Sequence, residues 1–435
     1  MKKVVLSAVA VSALALTGAS ASNSSEIKAL KSQMASMSDK IDELEKKDEK
    51  YADYEKKFEK ATVVKSKVPV LKFSGVHYLG FIHQTEDKNA FNYTGPDGTN
   101  YSGDASSNTY DYFSTRRNYL QVKAYFADNP KSYMRMTLDT VQIGEGVPNA
   151  GDWEVRLKYA YLYLDDILPY TGVEFGQAHR PWIDYEEHHG WRYRSIAKVF
   201  VESKADTDFT NSADLGINFK TKTEYFSSEI GLFNGEGYHG LLDKDLDSGL
   251  SFEWRLTANI LGTGKQHVGK SDTYLDASFF GQYNQDYEKK GEVDPITGEV
   301  GDLVWYGLNA VYNQPNFLLN ATYAKADKAG VNYKGNGWSV NGTYRFVDDW
   351  ANANEYLRKV SLIGRYDYFE LDAYENDPRE AWIAGITYQW NKNVEFILNY
   401  TNNKDPRLVV DPEDQDILHA PQEDKLVMFT AAVHW

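Results

Sequence analysis

The chain has 435 residues, a formal charge of −16 and no cysteine, which excludes disulfides, cysteine-ligated metals and thiol nucleophiles. Aromatic residues make up 14%, with 32 Tyr and 10 Trp, a balance suited to rings that sit between dry and wet surroundings. The acidic balance argues against a nucleic-acid partner; a mean hydropathy of −0.57 excludes a helical membrane protein but not a membrane barrel, in which only alternate residues meet lipid.

Residues 1–21 read as a secretory signal: Lys2 and Lys3, an apolar run from Val4 to Leu16, then Ala19, Ser20 and Ala21 as the cleavage site. Ser22 follows the cut, so no cysteine is there to carry a lipid anchor. An uncleaved anchor is disfavoured because the run is too short to span a bilayer.

Over residues 22–60 the apolar period becomes 3.5, with Ile27, Leu30, Met34, Met37, Ile41 and Leu44 at alternating spacings of three and four. The spacing predicts a short coiled-coil helix that associates with copies of itself; a single amphipathic helix is the plainer alternative. Residues 61–70, with Pro69, form the linker that ends it.

From 71 to 435 the chain is a succession of alternating segments, each about the length of a tilted membrane strand. Leu120, Val122 and Ala124 oppose Arg117, Tyr119, Gln121 and Lys123, while Met134, Met136 and Leu138 oppose Arg135, Thr137 and Asp139. Val155, Leu157, Tyr159, Tyr161 and Tyr163 are assigned to the lipid face, opposing Glu154, Arg156, Lys158 and Ala160. Phe252, Trp254, Leu256, Ala258 and Ile260 form a further apolar face, as do Trp338, Val340, Tyr344 and Phe346. A soluble sandwich alternates in the same way, so the connections must separate the two.

About sixteen segments begin near Leu71, Asn118, Lys131, Glu154, Thr171, Asp214, Tyr225, Ser251, Tyr274, Asp302, Asn316, Trp338, Lys359, Arg379, Asn393 and Lys425. Short joins around 128–130, 222, 314–315 and 391–392 interleave with long ones over 83–116, 178–213, 284–301 and 402–424; the joins near Gly264 and Asp348 are longer than the scheme prefers. An even strand count with short turns at one end and long loops at the other predicts an all-β fold, a transmembrane antiparallel barrel of the outer membrane with both chain ends in the periplasm.

The last segment places Val427, Phe429, Ala431, Val433 and Trp435 on one continuous apolar face. That ending resembles the terminal strand of bacterial outer-membrane barrels, which implies the barrel-assembly machinery as a partner during biogenesis.

After residue 70 the whole chain resembles trimeric porins, and the signal, heptad and barrel layout looks most like the phosphate-selective porin O and P family. The loops lack the lysine-rich set that phosphate selectivity suggests. The resemblance implies a homotrimer in outer-membrane lipid and a third long loop folded into the barrel. By count that loop contains His179, Arg180, Trp182, Asp184, Glu186, Glu187, His188, His189, Arg192 and Arg194, the densest polar and aromatic cluster in the chain. Folded inward, it meets the lumen-facing Arg117, Arg135, Arg156 and Lys158, a basic column opposed by Asp184, Glu186 and Glu187; Arg180, Arg192 and Arg194 complete the expected pore constriction. Opposed rows of fixed charge set a transverse field that tunes ion preference. The plainer alternative is that these charges pair in a hydrated lumen.

Glu187, His188 and His189 invite a metal reading, but adjacent loop histidines without HExxH are poor evidence, and no metal is assigned. No nucleophile elbow, phosphate-cradling glycine loop or dinucleotide fingerprint stands in a strand-to-helix context, so neither cofactor nor reaction is expected. The expectation is a passive channel for small hydrophilic solutes and ions. Its rivals are an outer-membrane enzyme of the phospholipase kind, disfavoured because His77 and His434 lack an obvious serine partner, and a secreted β protein binding polysaccharide through Tyr and Trp.

Overall fold

The computed structural model describes Lys40, 63–65, 70–94, 100–142, 151–238, 249–262, 269–287, 290–291, 300–347, 354–373, 377–406, 409–410, 417–419 and 421–435. The signal segment, the heptad segment apart from Lys40, and most of the linker lie outside the described residues. The chain divides into two compact units, Met1–Val63 and Val64–Trp435.

Period-two alternation becomes strand wherever one face can be given to an apolar surround and the other to a polar interior. Sixteen barrel strands result: β1 (Val70–Lys88), β2 (Ser106–Tyr125), β3 (Tyr133–Gln142), β4 (Trp153–Leu168), β5 (Thr171–His179), β6 (Ala213–Lys222), β7 (Phe226–Phe233) and β8 (Ser251–Leu261), then β9 (Tyr274–Asn284), β10 (Leu303–Asn313), β11 (Phe317–Lys328), β12 (Gly335–Arg345), β13 (Val360–Leu371), β14 (Arg379–Asn391), β15 (Val394–Asp405) and β16 (Gln422–His434). Each pairs antiparallel with its neighbour in sequence.

Closure comes from β1 against β16, in register from Val76 opposite His434 to Lys88 opposite Gln422. Gly75 and Trp435 extend that ladder by exchanging backbone hydrogen bonds of 2.9 and 3.1 Å. Gly75 lets the Trp435 ring lie over the strand, since a Cβ there would stand 2.4 Å from that ring and displace it. With every edge paired into a ring, the backbone groups of a spanning sheet are satisfied internally, as a lipid surround demands.

Long connections gather at one end (89–105, 143–152, 180–212, 234–250, 285–302, 406–421) and short turns such as 169–170, 314–316 and 392–393 at the other, where β1 begins and β16 ends. The joins at 262–273 and 346–359 are the two that run long on the short side.

Two features depart from the alternation read in the sequence. β2 starts at Ser106 rather than near Asn118, because 106–116 continues the ladder with β1 although its side chains, mostly polar and exposed, carry no clear period of two. The first long loop is therefore 89–105 rather than 83–116, and the last is 406–421 rather than 402–424.

More consequentially, the β3–β4 register slips between Thr137 and Leu138, opposite Tyr159 and Leu157, leaving Lys158 as an extra residue. A bulge of one residue reverses the faces of everything beyond it. Val155 and Leu157 do face out, at 60% and 40% exposure, but Tyr159 and Tyr161, at 7% and 1%, belong to the interior. The lipid-face assignment of Tyr159, Tyr161 and Tyr163 is thereby corrected. A second bulge, at Arg116 on β2, turns both Arg116 and Arg117 inward.

Candidate functional site

The loop joining β5 to β6, 180–212, runs through the barrel interior. The seven residues Ile183–His189 form its helix, α1, followed by a turn of 3-10 helix at Phe200–Glu202. Helical spacing sorts the cluster that looked uniform in sequence. Trp182, Tyr185, Glu186 and His189 fall three and four apart and face the wall; Asp184, Glu187 and His188 share the opposite side.

On the wall side Trp182 lies flat on Phe280 of β9, while the Tyr185 ring stacks on His189 and its hydroxyl donates to Asp276 at 2.8 Å. Ile183, Trp191, Val199, Phe200 and Phe209 extend this into one apolar core with Trp305, Ile363, Phe369, Ile383, Ile397 and Met428. Burial on that scale, at about 25 cal/mol per Å² of apolar surface, fixes the loop against β9–β16. Gly190 permits the approach: a Cβ there would press on the Asn320 side chain at 2.8 Å.

Wall arginines hold the loop backbone as well. Arg255 donates to the Pro181 carbonyl at 3.1 Å; Arg116 reaches the Ser195 and Ile196 carbonyls, Arg365 that of Lys198, and Arg379 that of Asp206. None of these four was singled out in the sequence, although Arg255 and Arg365 alternate with acidic neighbours at inward positions, which is the signal that was there to read.

The expected constriction residues separate into three groups. Arg180 is buried among Asp214 at 2.9 Å, Glu253 at 3.1 Å and the Gly235 carbonyl, and so anchors the root of the loop. Glu186 is turned to the wall, accepting from Trp182 Nε1 at 2.7 Å and Thr322 at 3.3 Å; burial pushes its carboxyl up to about 7 despite Arg365 and those two hydrogen bonds. It therefore does not stand in a row with Asp184 and Glu187. Arg192 donates to the Tyr274 hydroxyl at 2.9 Å, on the β9 side.

The second group faces β2–β6. Burial pushes the Asp184 carboxyl up, but His179, His188, Lys220 and Arg135 outweigh it and hold the group well below the usual range. Glu187 pairs with Arg194, which also binds Glu202 at 2.5 and 2.9 Å; burial raises the Glu187 carboxyl while Arg194 and, more distantly, Lys158 oppose that.

The third group is the basic column itself. Arg117 pairs with Asp139 at 3.1 Å. Arg135 donates to the Tyr161 hydroxyl at 3.2 Å and to His179 Nε2 at 2.9 Å, so His179 uses Nδ1 to donate to Glu174 at 3.2 Å. Lys158 donates to the Tyr119 hydroxyl at 2.8 Å, and Arg156 stands over the Tyr238 ring at 6.0 Å. The structure thus brings Arg117, Arg135, Arg156 and Lys158 onto one stretch of wall, held largely by tyrosines, with Asp184 near His179 and Arg135 and Glu187 near Lys158.

Among the described residues no group of three or more His, Asp or Glu is placed to hold a metal ion.

No family model matches the sequence, and no curated protein matches it. Solved structures match its fold. The anion-selective porin from Comamonas acidovorans superposes with a TM-score of 0.53 at 12% identity, over 84% of this chain and 100% of that one. OmpF of Salmonella typhi gives 0.51 at 12%, over 86% and 100%, and OprB of Pseudomonas putida 0.51 at 8%, over 83% and 94%. The chain shares the sixteen-stranded barrel fold of outer-membrane porins of known structure.

Proposed function

We propose that this protein is a passive outer-membrane porin for small hydrophilic solutes and ions, in which the 180–212 loop forms the constriction and no reaction is catalysed. The observation that supports the reading is the loop itself: it packs inside a closed barrel and carries Asp184 near Arg135 and Glu187 near Lys158. Fixed charges of both signs on facing walls act on every ion that passes between them. The heptad segment supports a homotrimer with its N-terminal part in the periplasm, and the layout of signal, heptad and barrel supports a place near the phosphate-selective O and P porins.

Reconstitution of the folded full-length protein in planar bilayers tests this. Stepwise conductance linear in voltage is expected, with reversal potentials in chloride and phosphate gradients giving the solute preference. Heat-modifiable barrel that inserts without conducting would overturn the reading.

A further inference from the structure

Three histidines stand at or beside the inner loop, and their surroundings divide them. His179 of β5 spends both ring nitrogens, Nε2 accepting from Arg135 at 2.9 Å and Nδ1 donating to Glu174 at 3.2 Å. His189 lies against the Tyr185 ring with centroids 4.0 Å apart, meets the Tyr274 ring edge-on, and donates from Nδ1 to the Tyr185 carbonyl at 3.0 Å. Burial pushes its imidazole down to about 3, so it is neutral near pH 7. His188 differs from both. Its side chain is 68% exposed inside the barrel, on the side of α1 turned away from the wall.

One turn back along the helix stands its partner, Asp184. His188 Nδ1 donates to the Asp184 carbonyl at 2.6 Å and lies 3.7 Å from Asp184 Oδ1. That bond holds the Nδ1 proton. Nε2, with no partner among the described residues, is left as the atom that takes up and releases a proton. Asp184 is in turn the most open carboxylate of the loop, at 38% side-chain exposure against 19% for Glu187, which Arg194 pairs, and 1% for Glu202. Around the two stand Arg135, Lys220 and His179 of the wall, and Glu187, His189 and Arg192 of the loop. The arginines and the lysine keep their charge across the range in which a histidine titrates.

We propose that His188 is a specificity-determining residue of the channel: its proton cancels or frees the Asp184 carboxylate, so that the passage favours anions more strongly in acid than in base. This rests on the 180–212 loop being the constriction, and adds to that reading the group through which pH sets ion preference. With His188 neutral, the open face of α1 carries the Asp184 charge. With His188 protonated, the same face holds a neutral ion pair, and the basic wall residues act on passing ions without that opposing charge. Asp184 favours the charged ring and outweighs the burial that opposes it, which raises the imidazole above its ordinary 6.5. Below that raised value His188 is positive and above it neutral, so acidification adds one positive charge to the lumen.

The test uses the full-length protein in planar bilayers under a KCl gradient, with the reversal potential followed from about pH 5 to about pH 8. The anion-to-cation permeability ratio should rise on acidification by roughly two- to fivefold. That is the effect of one unit charge ~8 Å from the ion at an effective dielectric of ~40, with and without salt screening. His188→Gln should hold the ratio near its basic-limit value throughout, and His188→Lys near its acid-limit value. Asp184→Asn should keep a step but move it to lower pH, because the carboxylate that favours the charged ring is gone. A second readout is independent of conduction: diethyl pyrocarbonate acylates the neutral ring, so its rate at His188, read by mass spectrometry on the folded barrel, should titrate with the same midpoint. Conductance whose pH response is identical in the native chain and in His188→Gln overturns this proposal and leaves the constriction reading standing. An acylation midpoint below about pH 5 overturns it whether or not the barrel conducts, since the ring would then be neutral throughout. A folded barrel that conducts at no pH overturns the constriction reading, and this proposal with it.

Discussion

The indole of Trp182 lies on the ring of Phe280 with centroids 3.6 Å apart and planes 3° from parallel, joining the helix of the inner loop to the wall of β9. Both rings are almost fully buried, at 3% and 0% exposure. Trp182→Ala should cost about 3–5 kcal/mol of loop docking while leaving the barrel ladder intact. Single-channel recordings should then show a larger, noisier conductance, with the same heat-modifiability. Phe280→Ala should do likewise, and the double variant should expose a coupling of about 0.5–1.5 kcal/mol between the rings. Unchanged conductance in both single variants would show that the loop is held by its other contacts alone.

Glu186 gives the loop a pH dependence of definite sign. Its folded carboxyl is pushed up to about 7, above the unfolded value of 4.5, by burial. The folded state therefore binds the extra proton between those limits, and the stability it contributes is fully present below about pH 4.5 and lost as pH rises through about 7. The difference corresponds to about 3 kcal/mol. Glu186→Gln should slow amide exchange over Ile183–His189 at pH 8 relative to the native chain, with the two converging near pH 4.5. Equal exchange at pH 8 would show that the buried carboxylate is tolerated without cost.

Ion preference should follow the groups that face each other across the interior. A unit charge ~8 Å from a passing ion in a medium of effective dielectric ~40 is worth about 1 kcal/mol, roughly fivefold in local ion concentration. Neutralising Arg117, Arg135 and Arg156 should move the reversal potential toward cations, and Asp184→Asn with Glu187→Gln toward anions. Glu186→Gln should leave it unmoved, since that side chain is turned to Thr322. All shifts should shrink near 1 M salt, where the Debye length falls to about 3 Å. A larger effect from equal charge changes in the 406–421 loop would place the constriction elsewhere.

The chain terminus should matter for assembly more than for secretion. Trp435 closes the ladder onto Gly75 and donates from Nε1 to His77 at 3.0 Å. Deleting Trp435 should reduce heat-modifiable protein in the outer membrane several-fold while periplasmic levels hold or rise, and Gly75→Val, which forces a side chain into the ring, should act in the same direction. Normal outer-membrane levels after the deletion would count against a role for the closing strand.

The sequence by itself determined the strands and their order. Alternation at Met134, Met136 and Leu138, or at Phe252, Trp254 and Leu256, is dictated by an apolar surround on one side only, and turn residues such as Gln314 and Pro315 mark the returns; both signals are local. Closure was legible in the apolar face that ends at Trp435. What only the tertiary structure decided is which way side chains point where the period slips, and which loop residues meet the wall. The bulges at Arg116 and Lys158 each add one residue whose presence depends on the partner strand, so Tyr159 and Tyr161 read as lipid-facing until β3 is set beside them. Likewise Glu186 and Glu187 are adjacent and chemically equivalent in sequence. A helix stabilised by burial of Trp182 against Phe280 sends one to the wall and leaves the other facing the basic column, because a seven-residue helix has too little intrinsic stability to fix its own orientation without the surface it packs on.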